Sequence, residues 1–359
     1  MTSAAIASID LAALQYNFSQ AKQCAPDAKI LAVVKANAYG HGLTQVAHAL
    51  DAADGFAVAH LSEAIKLRQA GITQPIILLQ GFVSAEEFRQ CVEFGLTPVI
   101  HHPDQIEILS QVELKQPIDC WLKLDTGMHR LGILPESFDA VWQQLLDANF
   151  QQAPLCVMSH FGFADVPSEL QNAYQRDLFL KVSKGRPGEK SLANSAAIIA
   201  QPDTHYDWVR PGIMLYGGSP FVDDADQSIS LKPVMRLHSR VIAVRRLYKD
   251  EPLGYGASWS APEDTRIAVI GIGYGDGYPR HAPTGTPVWL NGERVYTVGR
   301  VSMDMLCVQL PDHLQVDLLD QVELWGEHVS ADEVARLSST ISYELFCRLT
   351  QRVKFEYHG

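Results

Sequence analysis

The chain has 359 residues, a formal net charge of −12, 47% hydrophobic residues and 19% charged ones. Its length exceeds one ordinary core, so about two domains are expected of a soluble globular protein. Its acidic balance argues against nucleic acid or an acidic membrane surface as a partner, since either calls for a basic face.

The N-terminal stretch Met1–Asp10 lacks a cationic segment followed by a long apolar run, and nothing later approaches a membrane span. A cytoplasmic protein without a signal peptide is expected. From about residue 28 to 217, strand-like and helix-like segments alternate. The predicted strands are Ile30–Val34, Gly55–Ala59, Pro75–Gln80, Thr97–His101, Ile118–Leu124, Leu155–Ser159, Ser191–Asn194 and Trp208–Arg210. Between them, amphipathic spacing predicts helices over Leu61–Ala70, Ser84–Phe94 and Ser137–Ala148, with Ser84-Ala85-Glu86-Glu87 reading as a capping box. Eight alternations predict a parallel α/β architecture, and eight strands close a (β/α)8 TIM-type barrel.

After about residue 230 the pattern changes to closely spaced strands: Val234–Leu247, Thr265–Ile272, Thr286–Leu290, Arg294–Val298, Met305–Leu310 and Gln321–Trp325. Turn signals at Asp276-Gly277, Pro283-Thr284-Gly285 and Asn291-Gly292 separate them. A helix near Ala331–Leu337 and a final segment Ile341–Leu349 close a second, mostly β domain. The expected division is residues 1–230 for the barrel and 231–359 for the β domain. The six cysteines (Cys24, Cys91, Cys120, Cys156, Cys307 and Cys347) form no Cys-x-x-Cys pair, and the thirteen histidines include no His-Glu-x-x-His. Reduced thiols and no metal site are expected.

The chemistry collects at predicted strand ends, where barrels keep their function. In Ala32-Val33-Val34-Lys35-Ala36-Asn37-Ala38-Tyr39-Gly40-His41-Gly42, a buried strand ends on a lysine. Such an amine snorkels, pairs with an acid, or forms a Schiff base. Strand five delivers Lys123 and then Asp125-Thr126-Gly127-Met128-His129-Arg130-Leu131-Gly132. Strand six gives Ser159-His160-Phe161-Gly162, strand seven Asn194-Ser195, and strand eight Arg210-Pro211-Gly212-Ile213. Lys35, Lys123, Arg130, Arg210 and His160 converge on one mouth in this reading, which asks for an anionic ligand. Ser195 with the amides of Gly212 and Ile213 is the expected phosphate cradle. Taken singly, His160 reads equally well as a core histidine, Arg210 as a salt-bridge partner and Asn194-Ser195 as a helix cap. Gly271-Ile272-Gly273-Tyr274-Gly275-Asp276-Gly277 fails the dinucleotide register, with Asp276 where a glycine is needed.

The decamer around Lys35 resembles the cofactor-lysine motif of alanine racemases. Met128-His129-Arg130-Leu131-Gly132, Ser159-His160-Phe161, Asn194-Ser195-Ala196-Ala197, Val209-Arg210-Pro211-Gly212-Ile213, Gly254-Tyr255-Gly256 and Val301-Ser302-Met303-Asp304 follow in family order across essentially the whole chain. The resemblance implies a barrel plus β-domain enzyme that uses pyridoxal 5'-phosphate to interconvert L- and D-alanine, supplying D-alanine for peptidoglycan or consuming it. It implies that Lys35 holds the cofactor and serves as base for the D-enantiomer, and that Tyr255 serves the L-enantiomer. Because Tyr255 lies in the β domain, it also implies a homodimer in which each β domain completes its partner's site.

By the same resemblance, Arg210 faces the pyridine nitrogen and, with His160, neighbours the catalytic tyrosine. Tyr39, Ser195, Gly212, Ile213 and Tyr343 hold the phosphate, with Asn194 beside them. Arg130, the Met303 amide and Asp304 meet the substrate carboxylate. Lys123 matches a lysine that some members carry as a carbamate, and Tyr274 and Arg280 match the entry corridor. His129 departs from the small or amide-bearing residues common at its position. The competing readings are a same-fold racemase preferring serine or another small amino acid, a non-catalytic pyridoxal-phosphate carrier, and a barrel-plus-β decarboxylase. Tyr255 speaks against a carrier, which needs no second base, and Arg210 against a decarboxylase, which pairs that nitrogen with an acid.

Overall fold

Runs such as Ile30-Leu31-Ala32-Val33 and Phe56-Ala57-Val58 are buried throughout, as strands covered on both faces must be. The structure is a computed structural model describing residues 5–114, 117–151, 153–222 and 229–359. After a first strand β1 (Ile6–Asp10), the eight predicted strands follow as β2 (Lys29–Val33), β3 (Gly55–Val58), β4 (Ile76–Leu78), β5 (Thr97–Ile100), β6 (Trp121–Lys123), β7 (Cys156–Met158), β8 (Lys190–Asn194) and β9 (Trp208–Arg210). They pair in parallel and in sequence order, and β9 returns to β2 to close the barrel. The predicted helices form over Leu61–Gln69, Ala85–Glu93 and Pro135–Asp147. The capping box at Ser84 is displaced by one residue: Ser84 Oγ accepts from the Glu87 amide, but the Glu87 carboxylate turns back to the Val83 amide.

The second domain contains β10 (Met235–Leu247), a short hairpin of β11 (Pro252–Leu253) and β12 (Trp259–Ser260), then β13 (Thr265–Ile270), β14 (Pro287–Leu290), β15 (Glu293–Val298), β16 (Leu306–Leu310), β17 (Gln321–Trp325) and β18 (Lys354–His358). Its main sheet runs β13-β16-β15-β14-β17-β10-β1-β18, and β10 also pairs with β13. Six strands thus close on themselves, and a bulge between Val241 and Ala243 lets the long β10 serve both halves. β1, which the sequence division assigns to the barrel, lies in this sheet. It is antiparallel to β10 (Ile6 opposite His238) and parallel to β18 (Ile6 opposite Lys354). Its pairing partners lie more than two hundred residues downstream, and local periodicity cannot report them.

One local feature positions the site. Ala36, Asn37, Ala38 and Tyr39 all have φ between +52° and +55°, so the chain after Lys35 makes a left-handed turn of four non-glycine residues. That conformation costs about 1–2 kcal/mol per residue. Long-range contacts hold it. The Asn37 amide donates to Glu63 Oε1 at 3.2 Å, and Asn37 Oδ1 accepts from the Leu43 amide at 3.0 Å. Gly40 (φ +80°) lies so close to the Phe346 carbonyl that a Cβ there would sit 2.1 Å from its oxygen. His41, fully buried, donates from Nδ1 to the Tyr39 carbonyl at 2.9 Å and packs against Tyr216 and Phe346. Burial lowers its pKa to about 4, so the ring under this turn is neutral.

The consequence is a pH dependence of stability. The unfolded chain takes up the His41 proton near its ordinary value of about 6.5, and the folded chain does not. Its contribution is therefore present above that pH and is lost as pH falls from about 6.5 toward 4, by up to about 3 kcal/mol. Denaturant unfolding across this range should show the loss, and His41→Gln should flatten it. An equal slope in the variant would refute a buried neutral His41.

Candidate active site

A cavity of about 800 Å³ opens at the C-terminal lip of the barrel. Lys35 lies two residues past β2, Lys123 ends β6, His160 lies two past β7, Asn194 ends β8 and Arg210 ends β9. All five line the cavity, as does Arg130. The convergence expected from strand ends is therefore present in one chain.

Arg210 is 4% exposed. Its guanidinium donates to Ser191 Oγ at 2.5 Å and to the carbonyls of Ser159 (2.5 Å) and Leu192 (3.1 Å), and it approaches His160 Nδ1 at 3.3 Å. Among the described residues no carboxylate pairs with it, so it is not the salt-bridge partner that its sequence position allowed. Burial lowers its pKa to about 10, which leaves it charged at neutral pH. The same burial, with Arg210 next, drives His160 well below its ordinary range. Lys123 is lowered to about 8 by burial and then by Arg210 and Arg130. Lys35 is lowered by burial and then by Arg130. A neutral amine at Lys35 is the form that can add to an aldehyde or take a proton.

On the opposite side, Ser195 Oγ accepts from the Gly212 amide at 2.8 Å. Tyr39 stacks on Tyr216 and tilts against Tyr343, and a Cβ on Gly212 would lie 2.6 Å from the Tyr39 hydroxyl. Only glycine keeps that corner open. Ile213 and Tyr343 line it. Asn194 Oδ1 caps the following helix through the Ala197 amide at 3.1 Å, so for this side chain the helix-cap reading holds.

Arg130 rides on a loop closed by Leu124 and Ile133, where the Asp125 amide donates to the Ile133 carbonyl at 2.9 Å. Asp125 Oδ1 accepts from the amides of Gly127 and His129. Burial alone pushes its carboxyl up, but those two amides and the His129 ring hold it below its usual range. His129 has φ +55°, and its Nδ1 lies 3.3 Å from Asp125 Oδ2. The His129 ring is thus a side-chain partner for Asp125.

Five expected residues are elsewhere. Tyr255 (71% exposed) sits in the β11–β12 hairpin loop, and Met303 (52%), Tyr274, Arg280 and Asp304 are also exposed on the β domain. The Gly275 amide donates to the Met303 carbonyl, and Asp304 pairs with Arg352 at 2.7 Å. None of the five is among the residues lining the barrel cavity. The sequence reading also passed over Ser191, the acceptor for Arg210. Flanked by Lys190 in a strand that also ends on Asn194, it carries no pattern that marks it in the sequence.

A lysine-centred, cation-rich pocket at the lip of a (β/α)8 barrel, with a β domain attached, points to an enzyme that binds a small molecule with anionic groups. The profile described as "Alanine racemase, N-terminal domain" matches residues 9–220, and "Alanine racemase, C-terminal domain" matches residues 234–357. Alanine racemase of Vibrio parahaemolyticus is 47% identical over 354 residues, covering 99% of each chain. The biosynthetic alanine racemase of Escherichia coli is 46% identical over 355 residues, again 99% of each. The crystal structure of biosynthetic alanine racemase from Pseudomonas aeruginosa superposes with a TM-score of 0.96 at 43% identity, covering 100% of both chains. That of alanine racemase from Bartonella henselae with covalently bound pyridoxal phosphate gives 0.90 at 31% identity, covering 99% of this chain and 100% of the other. The chain belongs to the alanine racemase family, enzymes that interconvert L- and D-alanine. This likeness along the whole chain disfavours the serine-racemase and carrier alternatives.

The cation cluster gives a further expectation. Below about pH 8 the folded chain carries the charge on buried Lys123 at a cost of up to about 3 kcal/mol, from the drop between 10.5 and 8. In carbon-dioxide-free buffer, Lys123→Met apoprotein should melt above wild type at pH 7, and its advantage should shrink as pH rises toward 10. A variant that melts lower at both pH values would contradict this.

Proposed function

We propose that this chain racemises alanine with pyridoxal phosphate carried on Lys35, and that Tyr255 from a second copy provides the opposite base. The observation that carries the reading is the lowered pKa of Lys35 in a cavity walled by Arg130, Lys123 and Arg210. The residues fit the cofactor. A desolvated amine suits its aldehyde, the corner kept open by Gly212 suits its phosphate, and a buried guanidinium without an acid suits its ring nitrogen. The covalently bound pyridoxal phosphate of the Bartonella henselae neighbour supports the same assignment.

Tyr39, Ser195, Gly212, Ile213 and Tyr343 would hold the phosphate, with Asn194 ordering Ser195 through the helix it caps. Pyridoxal phosphate, when bound, supplies a conjugated ring that draws electrons from the amino acid's α-carbon. Arg210 keeps its protons and so does not protonate the ring nitrogen, which limits that withdrawal. His160 stays neutral beside it. Arg130 attracts the substrate carboxylate, and the Met303 amide donates to it from the partner, with Asp304 beside that amide. Lys35 takes the α-proton of D-alanine, and Tyr255 takes that of L-alanine from the opposite face. Tyr274 and Arg280 line the way in.

Two further points belong to this reading. Lys123, with its pKa lowered to about 8, has a substantial neutral fraction at physiological pH and is proposed to carry a carbamate between Arg130 and Arg210. That group would cancel the charge that makes the cluster costly. The exposure of Tyr255, Met303 and Met305 outside their own chain's cavity supports a homodimer, with the barrel and Tyr343 of one copy holding the cofactor and the β domain of the other bringing the second base. Six free cysteines support a reducing, cytoplasmic setting, and no described helix is long and apolar enough to cross a membrane.

Chiral chromatography of L-alanine incubated with the holoenzyme should approach an equal mixture of enantiomers well ahead of L-serine. Serine racemised faster would overturn the substrate assignment. Lys35→Ala should abolish the absorbance of the bound, lysine-linked cofactor, and Tyr255→Phe should slow L-alanine deprotonation by about a hundredfold or more. Mixing the two inactive proteins should restore activity after subunit exchange. Continued inactivity in verified heterodimers would rule out a shared site.

A further inference from the structure

Gln175 is fully buried in the helix Leu170–Ser183 and does not line the cavity. Its side chain nevertheless reaches both loops that shape the mouth. Oε1 accepts from the Gly162 amide at 2.9 Å, while Nε2 donates to the His160 carbonyl and to Thr126 Oγ1, each at 3.1 Å. The partners fix which end of the amide is which. The Gly162 N–H can only donate and the His160 carbonyl can only accept.

The hydroxyls beyond Thr126 are equally directed. Ser159 Oγ donates to the Leu124 carbonyl at 2.7 Å, so its one proton is committed. Thr126 must then be the donor in the 2.9 Å contact with Ser159 Oγ, which leaves Thr126 Oγ1 to accept from Gln175. A single chain of donation runs from Gln175 through Thr126 and Ser159 to Leu124. Ser159 also offers its carbonyl to Arg210. Thr126 opens the loop that carries Arg130, and the other branch holds the backbone on both sides of Phe161, next to His160.

We propose that Gln175 is a positioning residue for racemisation, holding the Arg130 loop and the His160–Arg210 pair in one fixed register. The proposal rests on the reading of Arg130 and His160 as substrate-side and cofactor-side groups. Three hydrogen bonds from one buried amide, together with the Thr126–Ser159 contact, bridge the two loops through side chains. Displacements of a fraction of an ångström in such groups change rates by an order of magnitude or more. A carboxylate at this position could not serve. It would keep the Gly162 bond but reverse the Thr126 proton, take the donor away from Ser159, and set a charge against the His160 carbonyl.

The test uses Gln175→Met, which preserves length, together with Thr126→Val and the conservative Thr126→Ser. In the holoenzymes, Gln175→Met and Thr126→Val should raise KM for L-alanine by about tenfold, with Thr126→Ser close to wild type. In the apoproteins, Gln175→Met should weaken pyridoxal phosphate binding, followed by fluorescence titration, and should accelerate exchange of the Gly162 amide. If both disruptive variants lose only thermal stability, with KM and cofactor affinity unchanged, the proposal is wrong. Should Gln175→Met not fold, the Thr126→Val and Thr126→Ser pair decides alone. Arg130→Ala separates this inference from its premise. An unchanged KM there removes the site reading, whereas a raised KM there with no change in Gln175→Met and Thr126→Val removes the clamp alone.

Discussion

The Arg210 guanidinium is buried with its N–H groups spent on Ser191 Oγ, the carbonyls of Ser159 and Leu192, and His160 Nδ1. A charge held by neutral acceptors gives up much of its hydration and receives no ion pair in return. Burial is the larger influence on its neighbours, and this charge adds to it. His160 is driven neutral, Lys123 toward neutrality, and Lys35 is lowered in the same direction. Arg210 and Arg130 both oppose the charge on Lys123, and Arg130 acts ahead of Arg210 on Lys35. The site therefore keeps a permanent positive charge and a reactive amine within one cavity, and an anionic ligand relieves the remaining imbalance.

Holding that arrangement requires order in the backbone around it. The left-handed turn after Lys35 is costly by itself, and its partners include the nearby Leu43 amide and, from distant parts of the chain, Glu63 and the Phe346 carbonyl. Ser342–Cys347, the helix containing Phe346, also carries Tyr343 into the cavity. The β domain thus braces the lysine turn of its own chain while its Tyr255 hairpin faces outward. Intrachain support and the exposed second base lie on different parts of the same domain.

The barrel was legible in the sequence because each strand is a short apolar run between helices with clear periodicity, and the observed strands differ from the predicted ones by a few residues at most at any end. The clustered cations were legible because a barrel brings consecutive strand ends to one lip. Tyr255 was legible only through family resemblance, since a glycine-flanked tyrosine in a hairpin has no local signature of catalysis. What escaped was non-local. β1 gives no sign of its partners at residues 235–238 and 354–358. Gln175 sits in a helix where a glutamine ordinarily reads as surface, and its hydrogen bonds depend on loops that converge only after folding. The positive φ values at residues 36–39 are likewise set by tertiary contacts against the preference of alanine and tyrosine.

The position of β1 also bears on how the chain is made. Synthesis runs from the N-terminus, so Ile6–Asp10 emerges before the barrel, while β10 and β18 follow it. Throughout that interval a strand with alternately buried side chains has neither neighbour. A nascent chain that already contains the barrel strands thus still carries an unpaired edge strand, open to pairing with other nascent chains. Sheet completion joins segments that lie on either side of the barrel in the chain, and it must wait for β18.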